Sequence, residues 1–245
     1  MPPLQFTPPL LSNEILWFLL LFANFFAILI AYRFFGKTGL YIWIPISTIL
    51  SNIQVLKMID LFTIGVTLGN ITYASSFLVT DILSENYDKR SARKSVYIGF
   101  FSLSATVVIM NLALMFKPNE FDFIQESLNN IFSLLPRIAL ASLIAYAVSQ
   151  LHDVWSYNLW KTRLPAMKYL WLRNNASTMV SQLFDSVIFT FIAFWGLLPN
   201  NEFFEILITT YLLKLVVAAV DTPFLYLAKL MFIHKKINSV HTEEV

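Results

Sequence analysis

The chain has 245 residues, of which 57% are hydrophobic and only 13% charged, about half the charge of an ordinary soluble domain. Its 23 phenylalanines are spread over the whole length, so no soluble domain of useful size is left over and residues 1–245 read as one membrane domain. A net charge of +2 excludes a nucleic-acid binder of the usual basic kind, and the absence of cysteine excludes disulfides, thiol catalysis and cysteine-ligated metals.

A helix rising about 1.5 Å per residue needs roughly 20 apolar residues to cross a bilayer core of about 30 Å. Such stretches recur at residues 14–35, 39–58, 61–83, 96–116, 131–151, 176–198 and 203–232. The expected fold is therefore all-α, a polytopic helix bundle of about seven (six to seven) membrane spans. A short tail, residues 1–13, precedes the first span, and a second, 233–245, follows the last. The second stretch carries Asn52, Gln54 and Lys57, so a partly re-entrant or bundle-buried segment is the other reading there. The last is long enough to tilt, or to kink at Pro223.

Basic residues alternate between successive loops, and cytoplasmic loops are the ones rich in Lys and Arg. None precedes the first stretch; Arg33 and Lys37 follow it; Lys57 alone marks the next turn; then comes the cluster Lys89, Arg90, Arg93 and Lys94. The loop at 117–130 is mostly acidic, the next holds Lys161, Arg163, Lys168 and Arg173, the turn at 199–202 has none, and the tail has Lys235 and Lys236. The expected topology puts the N-terminus outside and the C-terminus in the cytoplasm. Trp155, Trp160, Tyr169 and Trp171 fit an aromatic belt at the interface. The first stretch lacks the basic start and short apolar core of a secretory signal, so it reads as a retained span.

Motifs for other chemistry fail on context. The segment 31–38, AYRFFGKT, ends an apolar helix rather than following a strand, which rules out a phosphate-binding loop. The sequon at Asn70 falls in a span and that at Asn175 on the expected cytoplasmic side. No zinc-protease pair or serine elbow occurs, and no cofactor or metal is implied.

What carries information is the polar residues within apolar stretches, each costing about 2.5–3.5 kcal/mol at mid-membrane on insertion scales. In the third stretch Asn70, Tyr73, Thr80, Asp81 and Ser84 share a helical face with Glu85 beside it. They line a path, or Asp81 and Glu85 pair structurally with Arg93 or Lys94. In the sixth, Asn175, Thr178, Gln182 and Asp185 gather on one face, and a carboxylate at Asp185 demands a proton, a partner or a solvated cavity. In the seventh, Lys214 and Asp221 lie two turns apart, with Asp185 a candidate partner for Lys214. Arg137 reads as snorkelling to the interface, and Gln150, His152 and Asp153 as a solvated helix end.

Three strings in order resemble one bacterial family, the queuosine precursor transporters, also grouped as vitamin uptake transporters. They are YASSFLVTDILSENYDKRSARKSVYIGF at 73–100, RNNASTMVSQLFDSVIFTFIAFWG at 173–196 and KLVVAAVDTPFLY at 214–226. The likeness covers roughly residues 22–226 and departs at Asp88, where the family usually has Gly. It implies a multi-pass protein of the bacterial inner membrane that imports 7-cyano-7-deazaguanine, its aminomethyl relative or queuine, the precursors of the tRNA modification queuosine. It also implies a bundle like the S components of energy-coupling-factor transporters, with an energising partner or self-association left open and no enzymatic activity. A guanine-like edge offers two adjacent N–H donors that a carboxylate such as Asp185 accepts, with Gln182 or Asn175 beside it. Asp81, Glu85 or Asp221 would receive an ammonium, and Tyr73 would stack on the ring.

Rival readings are a carrier for another vitamin or nucleobase-like solute, a retinal photoreceptor using Lys214, and an intramembrane hydrolase with Asp185 and Asp221 as a dyad. The photoreceptor leaves the polar face of the sixth stretch idle. The hydrolase lacks a glycine-flanked aspartate.

Overall fold

A computed structural model of the chain describes residues 11–62, 64–132, 136–196, 199–234 and 237. The basic tail residues Lys235 and Lys236 and most of both expected tails lie outside these. Helix α1 (Asn13–Gln54) opens on Ser12, whose hydroxyl accepts from the Ile15 amide. It spans 42 residues but breaks at Gly36 (φ 57°, ψ −137°), a left-handed conformation that a side chain would resist. The break reverses the chain. Asn13 Nδ2 at its start donates to the Asp60 carbonyl, only six residues beyond its end. The turn is tight enough that a Cβ on Gly39 would lie 2.2 Å from the Ala31 carbonyl oxygen.

A two-stranded antiparallel hairpin follows, β1 (Met58–Leu61) and β2 (Ile64–Thr67), with Met58 opposite Thr67 and Leu61 opposite Ile64. Glu14 accepts from the Phe62 amide at its tip, fastening it to the start of α1. This hairpin adds a short strand pair to the expected helical bundle and corrects the third apolar stretch, whose first residues form strand instead of continuing a helix. Helix α2 is correspondingly short (Gly69–Asn86).

Helices α3 (Lys89–Leu114), α4 (Gln125–Phe132), α5 (Pro136–Arg163), α6 (Leu170–Phe194) and α7 (Asn200–Ile233) complete the bundle, with a 3-10 turn at Met167–Tyr169 before α6. Asp88 caps α3 by accepting from the Ser91 amide at 2.7 Å. Helix α7 runs through Pro223 without a break in the helix assignment. One end of the bundle gathers the hairpin, the close of α6 and the start of α5. The other gathers Gly36, the end of α2 and the starts of α3 and α6. Helix α1 makes two passes between these ends, and α2, α3, α5, α6 and α7 make one each.

The molecule buries charged and polar side chains alongside an apolar core and turns many large apolar side chains outward. Phe26 and Ile30 of α1, Phe101 and Ile109 of α3, Phe184 of α6 and Ile208 of α7 face outward, while Asp81, Asp153, Arg173, Gln182 and Asp221 are buried. A water-soluble fold does the reverse. Helices α1, α3, α6 and α7 are each long and apolar enough to cross a bilayer. Every residue of α2 except Tyr73 is buried, so this central helix is solvated by protein and can be rich in Ser, Thr, Asn and Asp.

Candidate functional site

A small cavity opens among five elements near the hairpin end. Helix α1 supplies Ser51, Asn52 and Val55; α2 supplies Gly69, Asn70 and Tyr73; α5 supplies Ser142 and Ala145; α6 supplies Asp185 and Phe189; α7 supplies Lys214. Gly69 is required for the wall. A Cβ there would come within 2.5 Å of the Ser51 carbonyl oxygen, so only glycine lets α2 approach α1 this closely.

Asp185 is the charged centre. The Tyr73 hydroxyl donates to its Oδ1, the Ser149 hydroxyl donates to the same oxygen at 3.2 Å, and the Lys214 ammonium pairs with Oδ2. Lys214 also lies over the Tyr73 ring, 4.9 Å from its centroid. A carboxylate has about four lone-pair directions, and three are taken here. The expected partnership of Lys214 with Asp185 thus forms, and it ties Lys214 into a network that includes Tyr73. The hydrolase dyad does not form: Asp185 pairs with Lys214, while Asp221 accepts from Asn174 Nδ2 at 2.6 Å.

Four of the residues singled out in the sequence, Asn70, Tyr73, Asp185 and Lys214, line this cavity. The others lie elsewhere in the interior. Gln182 is completely buried with neither side-chain atom bonded. Asp81 meets Thr178 at 3.3 Å, and Asp153 meets the same hydroxyl at 3.2 Å. Asn175 is half-buried and donates to the Trp171 carbonyl and the Thr222 hydroxyl, toward the far end.

Glu85 has structural partners, and they are not Arg93 or Lys94. Its carboxylate pairs with Arg173 at 2.9 Å and with Lys229 at 3.1 Å, and accepts from the Tyr157 hydroxyl at 3.1 Å. Arg173 is therefore buried in the first turn of α6 rather than exposed in a basic loop. Gln150 and Asp153 are fully buried too, because α5 continues for three turns beyond the apolar stretch that marks it. Arg137 does not snorkel. Its guanidinium donates to the carbonyls of Ile192 and Trp195, both at 2.6 Å, satisfying orphan acceptors at the end of α6.

Sequence reasoning missed the contribution of α5. Ser142, Ser149, Asp153 and Tyr157 recur at intervals of seven, four and four, one helical face. That periodicity was the available signal.

Such a bundle, apolar to the outside and charged around a small internal cavity, defines a membrane protein built to handle a polar solute. Residues 67–228 match the family described as "Putative vitamin uptake transporter". Relatives from Bacillus subtilis (strain 168) and Haemophilus influenzae (strain ATCC 51907 / DSM 11121 / KW20 / Rd) carry the name "Probable queuosine precursor transporter". The first is 42% identical over 89% of this chain and 96% of its own, the second 26% identical over 99% of both. The "Queuosine precursor transporter" of Escherichia coli (strain K12) is 29% identical over 69% of this chain and 75% of its own. No solved structure matches. The chain belongs to the queuosine precursor transporter family.

Proposed function

We propose that the protein imports a queuosine precursor, a 7-deazaguanine, into the cytoplasm and that the Asp185 cavity receives it. The observation that carries this reading is the buried Asp185–Lys214 pair facing a small cavity, together with relatives named for such transport. A guanine-like edge presents two adjacent N–H donors and a carbonyl oxygen. Asp185 accepts the N–H groups, and Lys214 or Asn70 donates to the oxygen. Because three of the lone-pair directions of Asp185 are already engaged, a two-point grip displaces the Ser149 hydroxyl or Lys214. The unpartnered Oδ1 of Asn52 offers a further acceptor in the same cavity.

The bundle crosses the bacterial inner membrane seven times in this reading, with the hairpin end outside. Arg33, Lys37, Lys89, Arg90, Arg93 and Lys94 then gather on the cytoplasmic side, as the charge rule requires. The protein binds and moves its solute without chemical change. The cavity thus faces the compartment from which the solute is taken.

The test is queuosine in the tRNA of a precursor-requiring bacterium lacking its own transporter, fed each deazaguanine at low concentration with and without this chain. Restored modification identifies the solute. No restoration, with the protein in the membrane, sinks the reading and leaves a carrier of another vitamin.

A further inference from the structure

Beneath the cavity, α6 carries a polar stripe that the proposed solute site does not use. Asn174, Thr178 and Gln182 recur every four residues on one face, and each is completely buried. Thr178 Oγ1 lies 3.3 Å from Oδ2 of Asp81 on α2 and 3.2 Å from Oδ1 of Asp153 on α5. A hydroxyl has a single proton to give. It donates to one carboxyl group, and the second contact is a hydrogen bond only when the other carboxyl carries a proton and donates to the hydroxyl oxygen. Asp81 Oδ1 and Asp153 Oδ2 have no partner, and none of the ion pairs among the described residues reaches either group.

A second observation comes from Gln182, whose amide nitrogen and oxygen are both buried and unbonded. It sits one turn from Thr178 and three residues before Asp185, between the two levels of α6 that touch α2 and α5. Asp153 is one turn along α5 from Ser149, which donates to Asp185. The unsatisfied amide therefore lies along α6 between the level of the carboxyl pair and the level of the cavity.

We propose that Asp81 and Asp153, joined through Thr178, take up and release one proton per cycle and so couple solute import to a proton gradient, with Gln182 linking them to Asp185. This rests on the import reading above. The proton enters from the outer side, makes an O–H bond to one carboxylate, and leaves that oxygen toward the cytoplasm. Asp221 of α7 also faces this interior: its Oδ1 accepts from Asn174, while its Oδ2 has no partner. The remaining ionisable groups are engaged: Tyr157 of α5 donates to Glu85; Glu85 of α2 is paired with Arg173 and Lys229; Lys214 is paired with Asp185; and His152 bonds Ser181.

Two measurements on the full chain in lipid test this. Infrared spectra of the substrate-free protein at neutral pH should contain the C=O stretch of a protonated carboxyl, diminished in Asp153→Asn; a spectrum without that band, or one Asp153→Asn leaves intact, overturns the proposal. Proteoliposomes enclosing a pH-sensitive dye are then given 7-cyano-7-deazaguanine and, separately, queuine. An acid-outside gradient should raise uptake by about fivefold or more, the lumen should acidify as solute enters, and Asp153→Asn should abolish both effects. Should Asp153→Asn fail to fold, the gradient response of the unmodified chain decides by itself. Uptake driven only by sodium, or indifferent to any gradient, overturns the coupling while leaving import standing. No uptake of either compound by folded protein removes the import reading, and the coupling with it.

Discussion

Lys214 of α7 and Asp185 of α6 form an ion pair whose two side chains are 4% and 3% exposed. Breaking such a pair by removing one partner leaves an uncompensated buried charge, which costs about 3–5 kcal/mol. Lys214→Met should therefore lower thermal stability in detergent sharply. Adding Asp185→Leu should recover most of that loss, while solute uptake stays absent in both variants. A single variant as stable as the parent would show that the pair does not hold the bundle together.

Tyr73→Phe separates the hydroxyl from the ring. The ring stays beneath Lys214, but the donor to Asp185 is gone. Hydrogen bonds to charged groups are worth about 1.5–3 kcal/mol, so the half-saturating solute concentration should rise by about tenfold or more. Tyr73→Leu, which removes the ring as well, should be worse. Equal effects of the two would deny the hydroxyl a role.

Glu85→Gln removes the partner of Arg173 and Lys229, and Arg173 is completely buried. We expect a loss of about 3–5 kcal/mol, whereas Arg93→Ala should stay within about 0.5 kcal/mol of the parent. Thermal unfolding of the two variants side by side reads the difference.

Gly69→Ala should destabilise by about 1–3 kcal/mol, because its Cβ would meet the Ser51 carbonyl oxygen at 2.5 Å and the Val55 nitrogen at 2.8 Å. Both are backbone atoms and cannot swing aside. Gly65→Ala, whose nearest neighbour is 4.0 Å away, is the control.

Asp88 lies in the turn between α2 and α3, and the Ser91 amide holds its carboxyl below the usual range, against a smaller opposing effect of burial. A depressed folded-state value stabilises above the unfolded value and is lost as pH falls through the folded one, so this cap should weaken only in acid. Asp88→Ala should cost about 0.5–2 kcal/mol at neutral pH and Asp88→Gly only a few tenths. Stability curves against pH should converge for parent and Asp88→Ala at low pH.

Length and hydropathy made the helices of α1, α3, α6 and α7 legible, since each must present an apolar surface to lipid. The failures have a common cause. Helix α2 is wrapped by its neighbours, and α5 and α6 extend beyond the apolar runs that mark them, so their ends follow packing and capping, and Asp153 and Arg173 were misplaced outside the interior. Within the site, Asp185 and Lys214 stood out because a charge in an apolar stretch is conspicuous. Ser149 did not, because its importance depends on which helix faces it.

The reversal of α1 on Gly36 bears on how the cavity can change access. A chain that turns back without a connecting loop has no slack, so the passes before and after the glycine travel as one body. That body carries Ser51, Asn52 and Val55. The opposing wall, Asp185 and Lys214, belongs to α6 and α7, which are tied to each other by charge. The two walls of the cavity thus belong to separate pairs of helical passes, with Tyr73 of the central helix bonded to the α6 wall.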